Sequence, residues 1–213
     1  MSVCTGRDAR QHVMLLISGL IILVWSGIHP RDALTWWLEV APALLGLAVL
    51  LATYRRFRLT NLAYLLVWIH AIILMIGGHW TYAEMPLFNW LRDAFELKRN
   101  YYDRLGHLAQ GFFPAIIVRE LLLRTSPLRP GKWLFVLVVA SCLAVSAAYE
   151  LVEWAAALLL GQGADQFLGT QGDPWDTQWD IFLAFVGAML APLVLGRAHD
   201  RSLATLMSPG AAP

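Results

Sequence analysis

Charge is scarce in this chain: 15% of its 213 residues are Asp, Glu, Lys or Arg, while 58% are hydrophobic. An ordinary soluble domain carries about 25% charged residues and roughly 45–50% apolar ones. The shortage excludes a soluble globular fold. Neither sign is in excess, with 16 Lys plus Arg facing 15 Asp plus Glu for a formal net charge of +1, so nucleic acid is not an expected partner. Cysteine is nearly absent. Cys4 lies in a polar N-terminal stretch and Cys142 inside an apolar run, a placement that excludes a disulfide framework. Sharp catalytic signatures are missing as well. There is no His-Glu-x-x-His, no Gly-x-Ser-x-Gly and no Glu-x-x-His pair, which removes the standard routes to zinc-protease, serine-hydrolase and di-iron chemistry. No internal repeat points to an inverted-repeat transporter.

What the chain has instead is long apolar runs, and about 20 such residues cross a bilayer as a helix. Six spans are expected at about 12–28, 33–52, 60–78, 105–123, 133–160 and 177–196. These make an all-α polytopic membrane protein with a single transmembrane domain over 1–196. The stretch from 197 to 213 ends in Ser-Pro-Gly-Ala-Ala-Pro, lacks a periodic apolar face and is expected to be a flexible tail. Arg7 and Arg10 precede the first run as in a signal peptide. No small-x-small cleavage site follows it, so a retained helix is expected.

Lys and Arg favour the cytoplasmic side. With an inside N-terminus, the inner segments hold Arg7, Arg10, Arg55, Arg56, Arg58, Arg124, Arg129, Lys132, Arg197 and Arg201, and Arg119 lies near the inner end of its span. The outer segments hold Arg31, Arg92, Lys98, Arg99 and Arg104, and 161–176 has no Lys or Arg but contains Asp165, Asp173 and Asp176. Both termini are therefore expected in the cytoplasm. The long loop 79–104 places Leu87, Trp90, Leu91, Ala94 and Phe95 at helical spacing opposite Asn89, Arg92, Asp93 and Glu96. That pattern suits a short interfacial helix or a plain aromatic anchor at the headgroups.

An ionisable side chain within a span is costly unless it faces a partner or water, so each one is a functional candidate by default. Four spans deliver such residues to the same outer level: His79 and Glu84 after span three, Asp103 and His107 on span four, Glu150 and Glu153 on span five, and Asp173, Asp176 and Asp180 around the start of span six. The spacings of three and four place each pair on one helix face. Structural roles compete with this convergence. Asp173 before Pro174 resembles an N-cap, Asp176 in a first turn favours the helix dipole, and Asn100 suits the cap of span four. Glu150 and Glu153 are also placed to pair with Arg99 or Arg104. His70 in mid-span reads more readily as a hydrogen-bonded buried residue than as a ligand, and Glu39 has no partner evident in the sequence.

Clustered carboxylates with imidazoles in a partly dehydrated site suit a divalent cation, with Mg, Mn, Ca and Zn all open. On that reading the metal ligands are expected among His79, Asp103, His107, Glu150, Glu153, Asp176 and Asp180. His107, Glu150 and Asp103 would act in catalysis, and Arg104, Trp175 and Gln178 in substrate binding. The expected activity is hydrolysis or group transfer on a lipid or cell-envelope intermediate. A proton-coupled carrier using Glu39 and His70 stays open, as does a non-catalytic lipid-interaction protein. The bilayer is the one partner every reading shares.

The segments Tyr102-Asp103-Arg104-Leu105-Gly106-His107, Glu150, His79-Trp80-Thr81-Tyr82 and Gly169-Thr170-Gln171-Gly172-Asp173-Pro174-Trp175-Asp176-Thr177-Gln178-Trp179-Asp180 together resemble the YjdF family of predicted bacterial inner-membrane proteins. The resemblance runs from about residue 54 to 196 and implies a multi-pass inner-membrane location. More distantly, the order Asp-Arg-x-x-His, Glu, Asp-x-x-x-Asp is similar to VanZ-like proteins, matching Asp103, Arg104 and His107, then Glu150, then Asp176 and Asp180. Glu153-Trp154 and Ala184 depart from that second pattern, which has Gln and Asn nearby.

Overall fold

The computed structural model describes residues 6–161 and 165–208, and all its regular secondary structure is helical. The order is α1 (Gly6–Ser26), α2 (Ala33–Thr53), α3 (Asn61–Trp80), α4 (Pro86–Ala94), α5 (Tyr102–Thr125), α6 (Lys132–Leu160), α7 (Asp165–Leu168) and α8 (Asp176–Met207). Cys4 lies outside the described residues. Side-chain oxygens start two of the long helices where the sequence supplies them: Asp32 accepts from Thr35 N–H and Thr60 from Ala63 N–H, capping the N-termini of α2 and α3.

Among the described residues five helices, α1, α2, α3, α6 and α8, are long and apolar enough to cross a membrane. The missing one is α5, expected as the fourth span. Its 24 residues reach about 36 Å at ~1.5 Å per residue, so length is not what fails. Composition is, because α5 carries Asp103, Arg104, His107, Arg119, Glu120 and Arg124. It tolerates them by standing at the centre, packed against α3, α6 and α8. A helix surrounded by other helices needs little lipid-facing surface.

The α5 and α8 backbones approach closely because both present small residues. A Cβ on Gly111 would strike the Ala184 carbonyl and one on Gly187 the Leu108 carbonyl. Ala115, Ala184, Ala188 and Ala191 continue the seam, each fully buried. Below it lies the apolar core of Leu66, Ile116, Leu134, Val138, Val139 and Cys142, so Cys142 is a packing residue.

The helix bounds agree with the expected spans except in two places. α1 starts at Gly6 and stops at Ser26, before the left-handed His29 (φ 50°). At the other extreme α8 does not end near 196 but runs on to Met207, and the stretch expected to be a flexible tail is helical to that point. The reason is burial of His199 and Leu203 against the bundle. In the long loop, α4 forms with Pro86 in its first turn, and its Leu87, Trp90 and the following Phe95 are exposed. Its apolar side is thus turned outward, as an interfacial helix requires.

Candidate functional site

The site lies at the end of the bundle where α3 and α6 finish and α5 and α8 begin. Its floor is set by a turn. Thr81 caps α3 in the left-handed region (φ 57°), and Tyr82 N–H donates to the Gly77 carbonyl at 2.9 Å. This turn drives the Tyr82 ring between α3 and α5. A Cβ on Gly77 would collide with it, and one on Gly106 would lie 2.8 Å from it. Burial pushes the Tyr82 phenol well above its ordinary value, so it stays a neutral hydroxyl.

Its roof is the Gly169–Asp173 segment. Gly169, Gln171 and Gly172 all adopt positive φ (59°, 48° and 84°), which explains two glycines in so short a run. The turn presents the Gln171 amide to the backbone of Asn100. Asn100 N–H donates to Gln171 Oε1, and Gln171 Nε2 donates to the Asn100 carbonyl, each at 2.9 Å. Asn100 is itself fully buried, donates to the Met85 carbonyl and Asn89 Oδ1, and accepts from Tyr102 N–H at 3.0 Å. It is not the cap its sequence position suggested: Tyr101 holds the cap position of α5 without a side-chain cap bond, and Asn100 ties the preceding turn together.

Two arginines fill the layer beneath. Arg99 Nη1 meets Asp176 Oδ1 at 2.5 Å, and its Nη2 donates to Asp103 Oδ2 at 3.3 Å and to the Gly169 carbonyl at 2.9 Å. Arg104 Nη2 meets Asp176 Oδ1 at 2.6 Å and Asp173 Oδ2 at 3.1 Å, while its Nη1 binds Asp180 Oδ1 and the Asp176 carbonyl. The arginines thus pair with aspartates. Glu150 and Glu153 receive neither.

His107 sits between the two acidic groups. Its Nε2 lies 3.5 Å from Asp103 Oδ1 and 3.7 Å from Asp180 Oδ1. Its Nδ1 lies 3.1 Å from Gln110 Oε1 and 3.8 Å from Glu150 Oε1. Two donor sets share this ring: Asp103, His107 and Asp180, and His107, Glu150 and Glu153, with the ligand atoms in each set within 4.8 Å of one another. Glu150 Oε1 is buried without a hydrogen-bond partner among the described residues, although a buried polar atom left alone is costly. Glu39 of α2 adds one more buried carboxylate, its Oε2 accepting from Tyr149 OH at 3.3 Å.

The other expected site residues lie elsewhere or are already engaged. His79 is not part of the cluster. Its Nδ1 meets the Ser26 carbonyl at 2.9 Å and its ring lies between Trp25 and Trp80, so it ties the α1–α2 corner to α3. Glu84 forms an exposed ion pair with Arg31 at 2.5 Å. Asp176 is buried in the cluster but engaged by both arginines, and Arg104 is itself engaged by four aspartates, Asp103, Asp173, Asp176 and Asp180. Trp175 and Gln178 are exposed at the start of α8. Asp173 does not cap α8: Trp175 holds the cap position, and Asp173 Oδ1 accepts its N–H at 2.9 Å. His70 has no partner at Nε2 and packs its ring 5.9 Å from that of Phe113. Sequence reasoning gave Tyr149 and Gln110 no role. Tyr149, adjacent to Glu150, and Gln110, three residues after His107, were the available signals.

A second buried polar cluster at the opposite end was not expected at all. Glu120 accepts from Thr60 N–H at 3.0 Å, Thr60 Oγ1 at 2.7 Å and Arg124 Nη1 at 2.6 Å, and His199 Nε2 lies 3.2 Å away. Arg119 Nη1 meets His199 Nδ1 at 2.7 Å and its Nη2 meets Asp200 at 2.6 Å. Thr60 is also the cap of α3.

Residues 11–201 match the family described as "Predicted membrane protein (DUF2238)". The chain is 50% identical over 183 residues to the Inner membrane protein YjdF of Escherichia coli (strain K12), covering 86% of this chain and 88% of that protein. Neither match extends the likeness to VanZ-like proteins. No solved structure matches.

Proposed function

Because the chain belongs to the DUF2238 family of predicted membrane proteins and is a multi-pass inner-membrane protein, we propose that its buried acidic cluster is a divalent-cation site serving hydrolysis or group transfer on a lipid or cell-envelope intermediate. The observation that carries this reading is Glu150 Oε1, buried without a hydrogen-bond partner and 3.8 Å from His107 Nδ1. Asp103, Asp176 and Asp180 already face Arg99 or Arg104, so the uncompensated charge is on the glutamate side. His107, Glu150 and Glu153 are accordingly the proposed ligands.

Asp103 and Asp180 then have a different task. A ligating histidine usually gives its other N–H to a carboxylate, which fixes the ring and raises its basicity. Asp103 stands where it would accept from Nε2, with Arg99 holding that carboxylate in place. A divalent cation in this position polarises a phosphoryl or carbonyl oxygen. Asp103 and Asp180, held at the Nε2 edge, are the groups placed to accept or return a proton. Trp175 and Gln178, exposed at the same level, are the residues proposed to meet an amphiphilic substrate. The Lys and Arg distribution supports placing this end on the outer side of the membrane, with both termini inside.

Metal content of the detergent-purified protein tests the proposal. Near one equivalent of a single divalent metal is expected, lost in Glu150→Gln and Glu153→Gln. No uptake after resupply with Mg, Mn, Ca and Zn in turn would overturn it. The bond between Tyr149 and Glu39 favours one second reading, a proton-coupled carrier in which Glu39 extends the cluster towards α2. Ligand-dependent proton movement in proteoliposomes that disappears in Glu39→Gln supports that reading, and unchanged flux removes it.

A further inference from the structure

α1 and α2 both pack on α3, and between the three runs a groove of about 400 Å³ lined by Leu16, Leu20, Leu23, Leu44, Leu47 and Trp68 among others. From His12 to Leu23 it follows α1 for about 17 Å at ~1.5 Å per residue, close to half of a hydrocarbon core about 30 Å thick. The groove is therefore as long as one leaflet is deep. It has a polar end. There His12 meets Tyr54 OH at 2.8 Å and Asn61 Oδ1 at 2.9 Å, and Asn61 donates to Asp8 at 2.8 Å.

Arg58 lies beside the same end: the N–H of the next residue, Leu59, donates to the hydroxyl of the groove-lining Tyr64 at 3.3 Å. Its Nε and Nη1 are buried and have no hydrogen-bond partner among the described residues. These are two of the five donors of a guanidinium, set in the fork that matches a phosphate. Arg55 and Arg56 precede it in the same short connection and are exposed, adding positive potential at the groove mouth. An apolar trough one leaflet long, with a cation beside its polar end, is complementary to one kind of molecule.

We propose that the α1–α2–α3 groove is a seat for a single anionic phospholipid, with an acyl chain along the groove and its phosphate against Arg58. This seat is separate from the acidic cluster, which lies at the other end of the bundle. The lipid supplies apolar surface that α1 otherwise lacks, since only 6% of its span is buried inside the protein.

The test is native mass spectrometry of the delipidated full chain titrated with phosphatidylglycerol or phosphatidylcholine. One molecule of phosphatidylglycerol is expected to bind about tenfold more tightly than phosphatidylcholine, the factor one charge-assisted hydrogen bond supplies. Arg58→Gln should erase the preference and leave phosphatidylcholine binding unchanged. Ala43→Phe, which fills the groove, should weaken both lipids. Arg55→Gln with Arg56→Gln should keep the preference, because those two act only by diffuse attraction. A preference that survives Arg58→Gln, or that follows Arg55 and Arg56 instead, overturns the proposal. So does the absence of any preference in the unaltered chain. Melting temperature without lipid is recorded for every variant, so that a misfolded protein is not read as a weak binder.

Discussion

Both ends of the bundle bury ionisable groups, and they do so in opposite ways. Around Glu120 the backbone N–H and hydroxyl of Thr60, Arg124 and His199 converge on one carboxylate, and Arg119 links His199 to Asp200. Around His107 the carboxylates of Asp103, Asp180, Glu150 and Glu153 outnumber the cations that reach them, and Glu150 keeps an oxygen with no partner. A satisfied network locks helices together. A cluster with unmatched charge invites a ligand or a proton. The contrast separates architecture from function more clearly than burial does, since Glu120 and Glu150 are both buried.

The contrast can be broken by treating the two ends alike. Glu120→Ala leaves Thr60, Arg124 and His199 without their acceptor and should cost about 3–5 kcal/mol, read as a lower unfolding midpoint in detergent. No loss there would mean the network is ornamental. Gly111→Val tests the seam between the ends, where a side chain meets the Ala184 carbonyl. A cost of about 1–3 kcal/mol is expected, together with weaker metal retention, and an effect on only one of the two would separate packing from site geometry. Asp103→Asn should weaken metal affinity about 10–100-fold at unchanged stoichiometry, as titration calorimetry would show. Complete loss would instead make Asp103 a ligand. Glu150→Gln removes an unmatched charge, so metal-free protein should be stabilised by about 1 kcal/mol, the reverse sign to Glu120→Ala. Arg31→Ala breaks the exposed pair with Glu84 and should change stability by no more than about 0.5 kcal/mol.

The sequence exposed the site end better than the inner end for a physical reason. At the site end, Asp103 and His107, Glu150 and Glu153, and Asp176 and Asp180 recur at spacings of three or four and stand out against apolar runs. The inner cluster draws on Thr60, Glu120 and His199, which look like ordinary boundary residues of three different helices. His199 was also hidden by reading the segment after 196 as a tail: its small and polar composition carries no periodic apolar face, yet tertiary packing keeps it helical. His79 misled in the other direction, because sequence order gives its depth but not which way its ring points. Arg99 and Arg104 were visible as charges, but their choice of the aspartates over the glutamates depends on how α5 faces α8, which spacing within one helix does not record.

The polarity of α5 also bears on how the protein enters the membrane. A charged residue costs an inserting segment about 2.5–3.5 kcal/mol at the helix centre and less towards its ends, and α5 carries five of them in its end turns, Asp103, Arg104, Arg119, Glu120 and Arg124. It is poorly suited to partition into lipid as an isolated helix. Its main compensating surfaces, the Asp173–Asp180 stretch and the small-residue seam, belong to α8 and the turn before it, and two helices, α6 and α7, separate α5 from α8 in the chain. Biogenesis must therefore hold α5 in a sheltered state until nearly the whole chain has been made, and a nascent chain ending before α8 would carry an unshielded Arg104 as a mark of incompleteness.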